Sequence, residues 1–186
     1  MKLYGSYTSP FVRHVRIVLL EPGQDCEFIE TDQAGSTAKS PTQRVPFLED
    51  GAVFLTDSAS ITKYLREKAG QDYCKTAKEL DDVCLVNTLM DATVNLFFIK
   101  RDGVDISGIP YLQRQVARIQ STLAELNQQP WPTSAPYNDA QIRLACFIGW
   151  AKLRKQIDFS LYPNLDAFFA SANQHPHFQA TQPPQN

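Results

Sequence analysis

The feature that most constrains this chain is a helix start set directly behind a short strand. Lys2-Leu3-Tyr4-Gly5-Ser6-Tyr7 reads as the strand, and Thr8-Ser9-Pro10-Phe11 opens the apolar run from Val12 to Leu20. Proline suits the first helical position, because its φ is already helical and its missing N–H has no partner to lose there. Serine before it supplies the N-cap. Such a terminus presents free backbone N–H groups and the positive end of the helix dipole, so it favours an anion. A hydroxyl at that spot can also donate a hydrogen bond to one. Taken alone, Ser9 reads as a plain N-cap, which serine serves in any helix.

A second motif changes that weighting. Arg44-Val45-Pro46-Phe47-Leu48-Glu49-Asp50-Gly51-Ala52-Val53-Phe54-Leu55-Thr56-Asp57-Ser58 reads as strand, turn, strand and helix start. Asp-Gly between two apolar runs is a strong hairpin signal, since both residues tolerate the positive φ of a tight turn. Asp57-Ser58 begins a helix to Lys68, with Ile61, Tyr64, Leu65 and Lys68 at helical spacing. With a strand at Cys26–Glu30, the order is strand, helix, strand, loop, strand, strand, helix. A weak signal places at most a helical turn around Gly35 to Lys39.

This order and these two motifs resemble the thioredoxin-like half of the glutathione transferases, and Lys2 to Gly70 is similar to their N-terminal domain nearly throughout. The match is closest to bacterial members that carry Ser-Pro-Phe-Val-Arg, as this chain does from Ser9 to Arg13. The resemblance implies a thioredoxin-like α/β domain over residues 1–70 and an all-α domain over residues 77–186. It implies that Ser9 stands at the position of the catalytic serine of the tau and zeta classes, and that glutathione is the co-substrate. Val45-Pro46 resembles the family's Val-Pro step, where the proline is cis and the preceding backbone pairs with the cysteinyl part of glutathione. Asp57-Ser58 resembles the pair that holds the γ-glutamyl end, and Arg44 keeps the charge of the family's lysine at its place. The ending His177-Phe178-Gln179-Ala180-Thr181 is common in the bacterial members.

The chain departs from the family pattern between Thr31 and Gln43. That stretch is short, and Gln43 replaces a glycine, which predicts a different backbone path there. Conjugation of the glutathione thiolate to a small hydrophobic electrophile is the expected activity, consistent with detoxification. A glutathione-dependent thiol or peroxide reductase is the first alternative, although that chemistry usually wants cysteine where Ser9 stands. A non-enzymatic adaptor on the same fold is the second, supported by the Gln43 change and the short loop. Tyr7, Phe11 and Phe97 are the candidate walls of a hydrophobic substrate site.

Bulk properties fit this reading. A net charge of −2 without a basic block gives no electrostatic support for nucleic-acid binding. A hydrophobic share of 43% suffices for a core. The sequence reads as having no apolar run of transmembrane length and no signal peptide, so no membrane partner and a cytoplasmic location are the default expectations. Family resemblance implies a homodimer. Cys26, Cys74, Cys84 and Cys146 form no Cys-x-x-Cys pair, which removes the usual dithiol and zinc readings, and no metal is expected. Cys84 and Cys146 are expected in buried helix packing, and Cys74 is the candidate reactive thiol. His14, His175 and His177 are assigned solvated or capping places.

The second half reads as helical. Its expected segments are Ala77 to Arg101, Tyr111 to Gln128, Asn138 to about Lys155, and Asn164 to Asn173. Asn138 and Gln141 form a candidate capping box. Asn87, Asp91, Phe97 and Phe98 lie at helical spacing that serves a core or a cleft equally well. Gln182 to Asn186 reads as a loose tail.

Overall fold

Four short strands form one mixed sheet in the order β2-β1-β3-β4. They are β1 (Lys2–Gly5), β2 (Glu27–Glu30), β3 (Phe47–Asp50) and β4 (Val53–Leu55). β1 runs parallel to β2 with Lys2 opposite Glu27, and antiparallel to β3 with Tyr4 opposite Phe47. The Asp50-Gly51 turn returns the chain so that Leu55 faces Leu48, and Gly51 there has a φ of +60°. Only glycine adopts that angle without a Cβ penalty. This architecture comes from a computed structural model that describes residues 1–184. The expected tail therefore falls partly outside the described residues, at Gln185 and Asn186. Gln182, Pro183 and Pro184 follow the last helix without regular structure.

The chain divides into two compact units. The first holds Met1–Lys75 together with the chain from Asn173 onward, and the second holds Thr76–Ala172. The C-terminal segment thus groups with the first unit, whereas the sequence reading ran the helical domain through to residue 186.

In the first unit, helices α1 (Pro10–Leu20) and α3 (Ser58–Lys68) pack on each other. Leu3, Val15, Val18, Leu19, Leu48, Ile61 and Leu65 form their shared apolar cluster with the sheet. Burial of each such side chain contributes about 1.5–3 kcal/mol relative to exposure. Gly5 marks the closest approach of β1 to α1. A Cβ there would stand 2.6 Å from a Val12 methyl carbon, so any larger residue would push the helix off the sheet. The stretch read mainly as loop contains a two-turn helix, α2 (Gln33–Lys39), capped by the Asp32 carboxylate, which accepts from the Gly35 N–H at 2.8 Å.

His14 is fully buried, not solvated as expected. Helix α1 is covered almost all round, so it has no polar face to offer that residue. Part of the cover is a short terminal helix absent from the sequence reading, α8 (Pro176–Ala180), which packs on α1. The His175 ring caps α8 by accepting from the His177 N–H at 3.3 Å.

The second unit is built from α4 (Ala77–Arg101), α5 (Pro110–Asn127), α6 (Asp139–Leu153) and α7 (Pro163–Ala172), with a 3-10 turn at Phe159–Leu161. Helix α4 packs on α5 and α6, and α6 on α7. Asn138 and Gln141 form the reciprocal capping box, with bonds of 2.9 and 3.0 Å. The buried stripe of α4 runs through Val83, Val86, Leu89, Met90, Thr93 and Leu96. Cys84 lies off that stripe and is exposed, against expectation; Leu80 and Phe98 are exposed too. Only Cys146 of the expected pair is buried. Helix α4 also corrects the reading of apolar runs. By length and by a mean hydropathy of 1.4 in one window it is apolar enough to cross a membrane. Its apolar stripe is spent on α5 and α6.

Candidate functional site

Strand directions gather the sequence motifs. The C-terminal end of β1 lies beside the N-terminal end of β3, because Tyr4 pairs with Phe47. The C-terminal end of β4 lies there too, because Leu55 pairs with Leu48. Three connections therefore meet at one end of the sheet: Ser6–Ser9 after β1, Arg44–Pro46 before β3, and Thr56–Asp57 after β4. Helices α1 and α3 both begin at this end, so two positive dipole ends serve the same edge.

Ser9 is the N-cap of α1 in extended conformation, with Pro10 at the first helical position. Its Oγ accepts from the Val12 N–H at 3.4 Å, a long cap bond. Its hydroxyl proton has no acceptor among the described residues. The Ser9 N–H donates to the Ser6 carbonyl at 3.1 Å and its carbonyl accepts from the Arg13 N–H at 3.0 Å, so the backbone on both sides is fixed. Thr8, the neighbouring hydroxyl, is 3.1 Å from Ser6 Oγ. The Tyr7 ring lies on Phe28 at 4.6 Å between centroids, and the Arg16 guanidinium covers both rings. Tyr7 is thereby held in a packed stack.

The Val45-Pro46 peptide is cis. Val45 is half-buried, belongs to no strand, and has no hydrogen-bond partner for its N–H or C=O among the described residues. It is an unpaired backbone step at the margin of the sheet, the arrangement an extended peptide can join. Arg44 is exposed, and its guanidinium lies 5.7 Å from the centre of the Phe11 ring. That contact links the segment before β3 to the first turn of α1.

Gln43 stands in an uncommon backbone conformation for a residue with a Cβ. It takes a φ of +53°, the left-handed region that glycine enters freely. The surrounding bonds impose it: the Gln43 N–H donates to the Ser40 carbonyl at 2.9 Å, and Ser36 Oγ donates to the Gln43 carbonyl at 3.3 Å. Ser36 and Ser40 are both buried. The sequence showed only a glycine missing. The serines that hold the turn in place of glycine's freedom gave no motif signal.

Asp57 caps α3, accepting from the Ala59 N–H through Oδ1 at 2.7 Å. The residue is exposed, and its Oδ2 has no partner among the described residues. Ser58 is buried behind it. Phe97 belongs to the second unit, where it packs edge-on against Trp150 at 5.6 Å. Asn87 accepts from the fully buried Arg143, so it serves the interior of that unit. A groove of about 200 Å³ in the second unit is lined by Thr93, Leu96, Ile119, Leu123, Ile157 and Tyr162 among others, without Phe97.

No group of three or more His, Cys, Asp or Glu among the described residues is arranged to hold a metal ion. Burial pushes the Cys26 thiol up, which makes it a poor nucleophile at neutral pH. Cys74 is half-buried at a φ of +55°.

Residues 3–72 match a sequence model described as Glutathione S-transferase, N-terminal domain. That stretch is thus similar to the N-terminal domain of the glutathione S-transferases. Glutathione S-transferase Z2 of Arabidopsis thaliana is 28% identical over 98% of this chain and 91% of its own length. The GST-like protein YibF of Escherichia coli (strain K12) is 44% identical over 71 residues, 35% of each chain. A glutathione S-transferase of Methylobacillus flagellatus KT, solved with GSH bound, superposes with a TM-score of 0.85 at 22% identity, covering 98% of this chain and 99% of that one. The thioredoxin-like α/β fold of the first unit and the helical second region match the fold of solved glutathione transferases.

Proposed function

We propose that the protein binds glutathione at the sheet end described above and conjugates its thiolate to a small hydrophobic electrophile. The carrying observation is the convergence of Ser9, Val45-Pro46 and Asp57-Ser58 on one edge of the sheet at the N-termini of α1 and α3. Ser9 donates its free proton to the glutathione sulfur. A hydrogen bond to a charged group contributes about 1.5–3 kcal/mol, equivalent to about one to two pKa units of the thiol. The α1 terminus adds its positive potential to the same sulfur. The thiolate is the attacking species, so its population sets the rate at neutral pH. Val45 offers its backbone N–H and C=O to the cysteinyl residue. Asp57 Oδ2 and Ser58 receive the γ-glutamyl end, and Arg44 supplies positive charge for the glycyl carboxylate. Tyr7 and Phe11 wall the electrophile. A homodimer is part of this reading, supported by the resemblance to glutathione transferases and by exposed apolar side chains in both units, Phe54 and Leu80 among them.

Calorimetric titration with glutathione tests the binding site directly. Asp57→Ala is expected to weaken affinity by about tenfold or more, through loss of a charge-assisted contact. Unchanged affinity in a variant that still melts cooperatively would remove Asp57 from the site. Turnover of 1-chloro-2,4-dinitrobenzene against a hydroperoxide separates conjugation from reduction. Sedimentation at micromolar concentration reads the dimer as twice the chain mass.

A further inference from the structure

Two arginines on α1, outside the proposed binding residues, reach the C-terminal helix. Arg13 is 4% exposed, an unusual place for a guanidinium. Its Nη2 donates to the Phe178 carbonyl at 2.9 Å and its Nε to Thr181 Oγ1 at 3.4 Å. The same guanidinium lies 5.5 Å from the centre of the Phe178 ring. One turn on, Arg16 Nη1 donates to the Thr181 carbonyl at 3.4 Å. Thr181 is itself fully buried and donates to the His177 carbonyl at 2.8 Å. These acceptors, two carbonyls and one hydroxyl, belong to the last turn of α8 and the residue beyond it, the negative end of that helix. A buried cation is costly unless its donors find acceptors, and here the α8 terminus supplies them. The other end of the linkage is Ser9, whose carbonyl accepts from the Arg13 N–H at 3.0 Å.

We infer that Arg13 is a positioning residue for the proposed glutathione site, and that the C-terminal turn around Phe178–Thr181 anchors the Ser9 end of α1 through it. This inference rests on the glutathione reading above. Arg13 closes the first turn of α1 with its backbone and fixes that turn to α8 with its side chain. Release of the side chain leaves Ser9 on a helix end that can shift relative to Val45. A hydrogen bond to a thiolate weakens steeply with such misplacement. The buried positive charge also adds to the potential at the α1 terminus, and the Arg13→Lys variant separates charge from geometry.

The test is the thiolate absorbance of bound glutathione against pH, with affinity and melting temperature measured alongside, in wild type, Arg13→Lys, Arg13→Met and Thr181→Val. Thr181→Val keeps the volume and removes only the hydroxyl acceptor and donor. The expected result is glutathione affinity within about threefold of wild type at saturating protonation, because Asp57, Ser58 and Val45 lie on other elements. The bound thiol pKa should rise by about half a unit or more in Arg13→Met and Thr181→Val, cutting the thiolate at lower pH about threefold. Arg13→Lys should fall between, since an ammonium keeps the charge and one bond but not the fork. Titrations of Thr181→Val and Arg13→Lys that superimpose on wild type, with only the melting temperature lowered, overturn the inference and leave Arg13 as a structural anchor. Those two variants decide the matter if Arg13→Met does not fold. Failure of wild type to bind glutathione is a different outcome, which overturns the transferase reading itself.

Discussion

The Ser9 hydroxyl has lone pairs and one proton, and the helix cap uses only a lone pair. Its two proposed roles are therefore compatible on one atom: it accepts from Val12 while it donates to a bound sulfur. Ser9→Ala separates them. Cap loss costs about 0.5–2 kcal/mol, and the 3.4 Å bond places this cap toward the low end. The donor role predicts a raised pKa for bound glutathione and a turnover that falls with it. Superimposed thiolate titrations of wild type and Ser9→Ala would reduce Ser9 to a cap. The cap was legible in the sequence because Ser-Pro is a local signal, and so was Asp57 as the α3 start. Arg13 was not. Its significance depends on Phe178 and Thr181, more than 160 positions away, and no periodicity within α1 reports such a partner.

At the level of elements, the two hairpin-side segments carry opposite kinds of strain and support. Gln43 occupies the left-handed region at a cost of about 1–2 kcal/mol for a residue with a Cβ, while glycine there costs about 0.5–1 kcal/mol in unfolded-state entropy. Gln43→Gly is therefore expected to stabilise the first unit by up to about 1 kcal/mol, read as a higher melting temperature. A lowered melting temperature would show that the Gln43 side chain contributes more than its backbone costs. On the far end of the hairpin, Asp50 accepts from Tyr64 at 2.7 Å and from Lys68, both on α3. The Lys68 bond, then the Tyr64 bond, hold the Asp50 carboxyl below its usual range. A carboxylate with a lowered folded-state pKa adds stability above its unfolded pKa, and that stability is lost as pH falls below about 4. Asp50→Asn should thus melt lower than wild type at pH 7, with the gap closing toward pH 3. A gap that is constant across that range would exclude the ionic contribution. The strands and the long helices were readable because their periods are local. Helix α2 was read as little more than a turn because Gln33–Lys39 has no apolar stripe; its Asp32 cap and the buried Ser36 are what mark it.

The molecule as a whole is discontinuous in sequence, and that is what local pattern could not convey. A chain read in order suggests one boundary near residue 76, yet the segment from Asn173 returns to the first unit. The signal was a single proline-opened turn, Pro176–Ala180, too short for helical periodicity to register. Its anchor is Phe178, 1% exposed and stacked beneath the Arg13 guanidinium. Truncation of a buried phenylalanine costs about 3–5 kcal/mol, from lost transfer energy and the cavity left behind. Phe178→Ala is therefore expected to lower stability by that amount. The loss should be localised: amide hydrogen exchange is expected to quicken first in α1, around Arg13 and Arg16, because those side chains lose the carbonyls they hold when α8 lifts. Faster exchange confined to α4, α5 and α6 would place the C-terminal segment with the helical unit instead. The outcome decides whether a substitution near the end of the chain is felt as a defect of the first unit or of the second.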